Sequence, residues 1–140
     1  MTAPATRRVT SLMAAIADTG RDRTRCGYTR PVYSTAELDL RGWFVAEAQA
    51  RGLDVETDRN GVIWAWWDLP SRDRAGAIVT GSHLDSVPGG GAFDGPLGVA
   101  SALAAVDVLR EQGRRPDRAL AIAVFPEEFR VAHHRAEAAR

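Results

Sequence analysis

Apolar residues recur at helical intervals in three segments of the chain, and each segment predicts an amphipathic helix. The first repeat ends at Gly20. The second follows the tetrapeptide STAE at 34–37, which has the spacing of a capping box, and it ends at Gly52. The third has Pro96 in its first turn and ends at Gly113.

Two other patterns predict β-strands. The segment 53–68, LDVETDRNGVIWAWWD, has alternating residues, an Asn-Gly pair and then an aromatic run, which predicts a β-hairpin. Residues 77–81 and 119–125 are short, continuous apolar runs, as expected of buried strands. Because a helix separates these two runs, they form a βαβ crossover, and we expect an α/β fold with at least part of its sheet parallel. The charged segment 21–33 has no period and is predicted to be a loop.

Composition narrows the class of protein. The chain has 140 residues, 45% of them hydrophobic, which is enough for one domain with its own core. Its 18 basic and 18 acidic residues balance, so the net charge gives no reason to expect nucleic acid or an anionic membrane as a partner. The single cysteine, Cys26, excludes an internal disulfide framework. With no apolar stretch of membrane-spanning length, we expect a cytoplasmic protein.

Polar side chains follow both predicted buried strands. The first strand leads into His83 and Asp85 and then, through a glycine-rich loop, into Asp94; the second leads into Glu127 and Glu128. Since the carboxyl ends of neighbouring parallel strands lie side by side, one imidazole and four carboxylates should converge there. Carboxylates at that density need a cation to remain ionised. The sequence therefore predicts a site for one or two divalent metal ions.

Spacing suggests how these groups divide the chemistry. His83 and Asp85 are two residues apart, so both face one side of an extended segment, where Asp85 accepts from the second ring nitrogen and fixes the ligating tautomer. Glu127 and Glu128 are adjacent and point in different directions, so that one ligates and the other holds the attacking water. The residues alone leave open which glutamate does which. The plain alternatives are a surface His–Asp hydrogen bond, a solvated glutamate pair and, at Asp94, an ordinary turn.

The motifs resemble those of a known family. TGSHLDSVPGGGAFDGPLGV, followed by an apolar strand and a Glu-Glu pair, resembles the dizinc aminoacylase and carboxypeptidase G-like metallopeptidase family. The closest branch contains N-carbamoyl-L-amino-acid hydrolases, β-ureidopropionases and allantoate amidohydrolases. GYTRPVYS and LDVETDRNGVIWA extend the resemblance to about residues 5–128. It implies a partial αβα sandwich with a mostly parallel sheet, residues 1–128 being the N-terminal part of a catalytic domain, and a homodimer for whole family members.

The resemblance also implies residue roles. His83 would be a metal ligand with Asp85 as its orienting partner, Asp94 would bridge two metal ions, Glu127 would be the general base, and Glu128 would ligate the second ion. The ions would be zinc, manganese, cobalt or nickel, all of which accept imidazole and carboxylate ligands. The implied reaction is metal-assisted hydrolysis of a linear amide or ureido C–N bond in a small-molecule substrate.

Arg30 and the end of the chain carry weaker expectations. Arg30 lies near the region where relatives approach the substrate, and an arginine there would clamp a carboxylate; a solvated loop arginine is the alternative. Residues 129–140 have no apolar period and are expected to be an unrelated, disordered or frameshifted tail, in which His133 and His134 match no family position. On this view the chain is truncated and inactive.

Two further functions remain open from the sequence. One is a non-catalytic remnant that keeps the first half of the fold and binds metal weakly. The other is an interaction module that uses Trp64, Trp66 and Trp67, although a β-ribbon places neighbouring side chains on alternate faces.

Overall fold

The computed structural model describes residues 4–127, so that Glu128 and the predicted tail at 129–140 lie outside the described residues. All three predicted helices are confirmed: α1 (Ala5–Ala15), α2 (Thr35–Ala50) and α3 (Pro96–Glu111). The Ser34 hydroxyl accepts a hydrogen bond from the Glu37 amide at the start of α2, as the capping box predicts. Within the described part of the chain, none of these helices combines the length and the apolar composition that crossing a bilayer requires.

Within residues 4–127, seven strands form two sheets. They are β1 (Arg21–Asp22), β2 (Gly27–Arg30), β3 (Asp54–Thr57), β4 (Ile63–Trp67), β5 (Ile78–His83), β6 (Ser86–Gly90) and β7 (Leu120–Phe125). The larger sheet has the order β3-β4-β7-β5. Strands β5 and β7 are parallel, while the pairs β3–β4 and β4–β7 are antiparallel. The α/β class is confirmed, but the sheet is mixed rather than mostly parallel, because a hairpin supplies two of its four strands.

That hairpin is confirmed, with a longer connection than its Asn-Gly pair suggests. Five residues, 58–62, join β3 to β4. The Asp58 carboxylate accepts from the backbone amides of Asn60 (2.8 Å) and Val62 (3.1 Å). An aspartate side chain therefore organises the connection by bonding to backbone two and four residues ahead.

The three helices share one core with one face of the larger sheet. Phe44 of α2, Leu103 of α3 and Ile122 of β7 are fully buried in this core. Trp64 and Trp66 do not belong to the core, because they alternate with Ile63 and Ala65 along β4. Their rings stack on each other with centroids 5.6 Å apart.

Strand β5 is less buried than its apolar run predicts. Ile78 and Val79 are 52% and 50% exposed. Among the described strands β5 lies at the edge of the sheet, with β7 as its partner on one side only. The prediction of a buried strand at 77–81 is therefore wrong, whereas β7 is buried as predicted.

The segment 21–33, predicted to be a loop, contains two short strands. β1, β2 and β6 form a three-stranded antiparallel sheet. Gly27 permits this pairing, since a Cβ atom there would lie 2.5 Å from the Gly89 carbonyl oxygen. These strands form by close approach of backbones, a feature that leaves no apolar alternation in the sequence.

Candidate metal centre

The parallel pair β5–β7 sets the position of the candidate site. His83, the last residue of β5, lies opposite Phe125, the last residue of β7. Asp85 and Glu127 each lie two residues beyond that pair. The register therefore places the starts of both polar segments side by side at the carboxyl edge of the sheet.

The His83 ring is oriented by Asp85. Its Nδ1 atom lies 3.1 Å from the Asp85 carbonyl oxygen and 3.2 Å from the Asp85 carboxylate Oδ1. Both are acceptors, so Nδ1 carries a hydrogen, and in the neutral ring the lone pair is then on Nε2. Both residues are buried. This is the arrangement in which a second carboxylate holds a ligating histidine in its tautomer and orientation.

Asp94 lies on the other side of the ring. Its Oδ1 atom is 3.8 Å from His83 Nε2, and its side chain is 59% exposed. An ion bound about 2.0–2.2 Å from a nitrogen and from an oxygen fits between two atoms at this separation. A nitrogen lone pair and a carboxylate oxygen that face each other across this gap are a donor pair suited to a divalent cation.

Gly95 brings the Asp94 segment against the histidine. Its backbone has φ +89° and ψ −72°, a conformation close to the rare and strained classic γ-turn. A Cβ atom at this position would lie 2.6 Å from the His83 carbonyl oxygen and 2.7 Å from the ring carbon Cε1. A glycine is therefore required for both the backbone conformation and the close approach to His83.

The remaining candidate ligands lie at the end of the described chain. Glu127 lies two residues after the end of β7, and Glu128 lies outside the described residues. Within residues 4–127, no group of three histidine, cysteine or acidic side chains converges on one point. The described part of the centre is thus the pair His83 and Asp94, with Asp85 behind the ring.

Arg30 makes contacts that anchor α1. Its side chain is 2% exposed, its Nε donates to the Thr19 carbonyl at 2.9 Å, and its Nη2 donates to the Ile16 carbonyl at 3.3 Å. The guanidinium carbon lies 4.1 Å from the centre of the Tyr28 ring. Burial lowers the pKa of Arg30 from its usual value. Carbonyls at the carboxyl end of a helix attract a cation, so these contacts stabilise the end of α1.

The same arginine lines a cavity near Asp94. The cavity has a volume of about 460 Å³ and lies between α1 and the segment 92–97. It is largely apolar, with Phe93 and Leu97 among its lining residues. A substrate-binding role for Arg30 stays a prediction, and two of its N–H groups already donate to the carbonyls of Ile16 and Thr19, just after α1.

A hydrogen-bonded acid ties the small sheet together beside this region. The Thr29 hydroxyl donates to Asp22 at 2.6 Å and accepts from the Gly89 amide at 3.1 Å. The hydrogen bond from Thr29, followed by one from the Arg25 backbone amide, lowers the pKa of Asp22 to about 2. Asp22 therefore links β1 to β2 and, through Thr29, to β6.

Two features near the centre were not predicted from the sequence. Tyr33 has a positive φ of 59° although it is not a glycine, and it lies beside the turn that precedes β4. The second feature is the strained backbone of Gly95, because the sequence offered an ordinary turn at Asp94 only as the alternative to a metal ligand. No sequence pattern predicts a positive φ at a tyrosine. The Asp-Gly pair before Pro96, in contrast, is a sequence signal for an unusual backbone.

Comparison with known proteins places these residues in a family context. The model of peptidase family M28 matches residues 65–131, a range that includes all the candidate site residues except Arg30. The chain is 35% identical over 100 residues to ureidoglycolate hydrolase of Oryza sativa subsp. japonica, which covers 71% of this chain and 20% of that protein. It is 31% identical over 102 residues to N-carbamoyl-L-amino acid amidohydrolase of Geobacillus stearothermophilus, covering 73% and 25% of the two chains.

Comparison with solved structures also points to the carbamoylase group. An amidase of the hydantoinase/carbamoylase family from Burkholderia multivorans matches with a TM-score of 0.81 and 27% identity, over 87% of this chain and 29% of that one. This chain resembles the carbamoylase group of amidohydrolases. The resemblance inferred from the motifs is thus confirmed. The chain spans 20% to 25% of the length of the curated carbamoylase-group relatives described above, which act on ureido and carbamoyl C–N bonds.

Proposed function

We propose that this chain carries part of the active site of a metal-dependent amidohydrolase that cleaves a linear amide or ureido C–N bond. The proposed substrates are small molecules of the N-carbamoyl-L-amino acid, ureidopropionate or allantoate type. One observation carries the proposal: His83 Nε2 faces Asp94 Oδ1 at 3.8 Å while Asp85 holds the opposite ring nitrogen. A neutral histidine held in this way presents its lone pair towards Asp94, where a cation can bind.

The proposed metal site uses His83 and Asp94 as ligands, with Glu128 as a further ligand. In the carbamoylase group we expect two ions, drawn from zinc, manganese, cobalt and nickel. When bound, a divalent ion polarises a carbonyl oxygen and makes water more acidic. The imidazole and carboxylate donors accept any of these metals, so availability decides which one binds.

The proposed acid–base work belongs to Glu127. It follows the end of β7, next in the sheet to His83. As a carboxylate, Glu127 takes a proton from the attacking water, and as the acid it then returns that proton to the leaving nitrogen. Asp85 takes no part in this transfer, because its role is to fix the tautomer and the orientation of His83.

The proposed activity is that of a whole amidohydrolase, of which this chain carries only part of the active site. The described residues contribute two of the expected ligands, and His133 and His134 have no counterpart in the family motifs. A cytoplasmic location is proposed on the resemblance and on the single exposed cysteine, Cys26, whereas a homodimer is proposed only for whole members of the family. Residues 1–128 are proposed as one unit and 129–140 as a separate tail, and a chain without turnover is one outcome of the experiment below.

Two other functions are outcomes of the same experiment. A non-catalytic metal-binding remnant would bind metal through His83 without turnover. An interaction module built on the tryptophans has less support, because the indole N–H groups of Trp64 and Trp66 already donate to Asp58 and Glu56. Trp67 packs against the core beneath the guanidinium of Arg110.

The test is ammonia release from N-carbamoyl-L-amino acids and allantoate after chelation and re-addition of each metal, together with calorimetry of metal binding. We expect His83→Ala to abolish metal binding and Glu127→Ala to abolish turnover while metal still binds. Asp73→Asn is the matched control, because this exposed acid lies near the amino end of β5, away from the site. Metal binding that is the same in His83→Ala and Asp73→Asn would refute the proposal.

A further inference from the structure

Tyr33 lies at the carboxyl end of β7, on the side opposite to His83. The turn before β4 is next to that end, since Ile63 pairs with Val124. A Cβ atom at Gly61 in this turn would lie 2.8 Å from the Tyr33 hydroxyl and 3.6 Å from Cβ of Pro126. The hydroxyl and Pro126 therefore both lie against the same glycine, and Pro126 directly precedes Glu127.

The backbone of Tyr33 is held in an unusual conformation by buried charge. Its φ of 59° lies in the left-handed region, which is costly for a residue with an aromatic side chain. Its backbone amide donates to the Glu37 carboxylate at 3.0 Å. Glu37 is fully buried, and its other oxygen accepts from Arg41 Nε at 2.5 Å. The backbone of Tyr33 is thus held by the ion pair of Glu37 and Arg41. Both residues belong to α2, and Arg41 also donates to the Gly61 carbonyl.

The Tyr33 ring also packs on the guanidinium of Arg41. The Arg41 guanidinium carbon is 5.4 Å from the centre of the Tyr33 ring, within the range of a cation–π interaction. Arg41 Nη2 is buried and makes no hydrogen bond within the described residues. The ring therefore covers a buried cation, and this contact orients the phenol.

Packing in the core does not explain the position of the Tyr33 hydroxyl. Tyr33 is 59% exposed, and within residues 4–127 its hydroxyl makes no hydrogen bond. One structural explanation is a hydrophobic staple with Leu38, the residue four positions into α2, but Leu38 is itself 49% exposed. An exposed phenol that is held next to Pro126, the residue before the candidate general base, is suited to contact a ligand.

We propose that Tyr33 is a substrate-binding residue whose hydroxyl donates a hydrogen bond to an oxygen of a carbamoyl or ureido acid. This inference rests on the proposed function and deepens it. The carboxylate and carbonyl oxygens of such acids are acceptors, so the phenol is the donor. The substrate would then lie between the proposed metal site of His83 and Asp94, on the side of β5, and Tyr33, on the side of β4.

The chain offers a simple readout, because it contains only two tyrosines. Tyr28 is buried, and its hydroxyl donates to the Ala17 carbonyl at 2.7 Å, so it serves as an internal control. The full chain, labelled with ¹³C in the tyrosine rings and supplied with Zn²⁺, is titrated with N-carbamoyl-L-alanine. Binding to variants is followed from the methyl signal of the ligand, and the same samples are assayed for released ammonia.

We expect the ring signals of Tyr33 to move and those of Tyr28 to stay. Tyr33→Phe, which keeps the ring over Arg41, should weaken binding about threefold to tenfold, the range of one hydrogen bond. Leu38→Ala should leave binding unchanged. This result supports the inference with or without ammonia release, whereas the proposed function also requires the release.

Three results would overturn it. Binding that neither moves the Tyr33 signals nor weakens in Tyr33→Phe would exclude the contact, and ammonia release in that case would still support the proposed function. Equal losses in Tyr33→Phe and Leu38→Ala would indicate a structural staple. No binding to the unmodified chain at millimolar ligand would exclude the contact and would count against the proposed function as well.

Discussion

Replacing Gly95 by alanine tests the geometry on which the candidate metal centre depends. Alanine at φ +89° and ψ −72° has a backbone strain of about 1–3 kcal/mol. Its Cβ would also lie 2.6 Å from the His83 carbonyl oxygen and 2.7 Å from the ring. Since neither group has room to retreat in a buried strand end, the loop must move, and the movement carries Asp94 away from His83.

Gly91 provides a matched control in the same loop. A Cβ atom there meets nothing within 4 Å, and the residue is not among the glycines with positive φ. Gly91→Ala should therefore be neutral or stabilise the fold by about 0.4–1 kcal/mol, through lost freedom of the unfolded chain. Each substitution adds one methyl group, and the two effects together predict that the free energies of unfolding differ by about 1–4 kcal/mol.

The assay combines urea unfolding, followed by tryptophan fluorescence, with calorimetry of Zn²⁺ binding. We expect Gly95→Ala to lose stability and to bind Zn²⁺ at least about tenfold more weakly, as when the support of a ligand is removed. Gly91→Ala should bind as the unmodified chain does. Equal stabilities and equal affinities for the two variants would refute the close approach of Gly95 to His83.

Three further outcomes are expected. Asp85→Asn should weaken Zn²⁺ binding about tenfold in calorimetry, because the ring then loses its charged partner but keeps its bond to the backbone carbonyl. The pKa of Asp22 is about 2, below its unfolded value, so its contribution to stability is present above about pH 4 and is lost as the pH falls towards 2; Asp22→Asn should flatten this part of the acid-unfolding curve. Phe44→Ala should cost about 3–5 kcal/mol in urea unfolding, while Leu38→Ala, at a half-exposed position, should cost far less.

The sequence predicted those elements whose signals are local. The capping box at Ser34 and the proline at Pro96 mark the starts of α2 and α3, because a side-chain cap and a fixed φ act within one turn. The hairpin β3–β4 was predicted from its aromatic run and its turn residues. Strands β1, β2 and β6 were missed, because what stabilises them is the approach of Gly27 to the backbone of residues 89–90.

In the candidate site, too, contacts with a local sequence signal were predicted and the others were not. The orientation of His83 by Asp85 follows from a spacing of two residues in an extended segment, and the structure has that contact. The distance from His83 to Asp94 depends on the backbone of Gly95, which no periodic pattern encodes. The place of Tyr33 depends on a buried pair, Glu37 and Arg41, that joins α2 to a turn about 20 residues later.

The edge position of β5 has a consequence for handling the protein in solution. A half-exposed apolar edge strand offers backbone donors and acceptors to any extended chain, so it promotes self-association. The formal net charge is zero at pH 7 and the isoelectric point is about 6.8, so copies of the chain do not repel one another near neutral pH. Colloidal stability should therefore be lowest at physiological pH and should improve on either side of it, which favours purification in a moderately alkaline buffer.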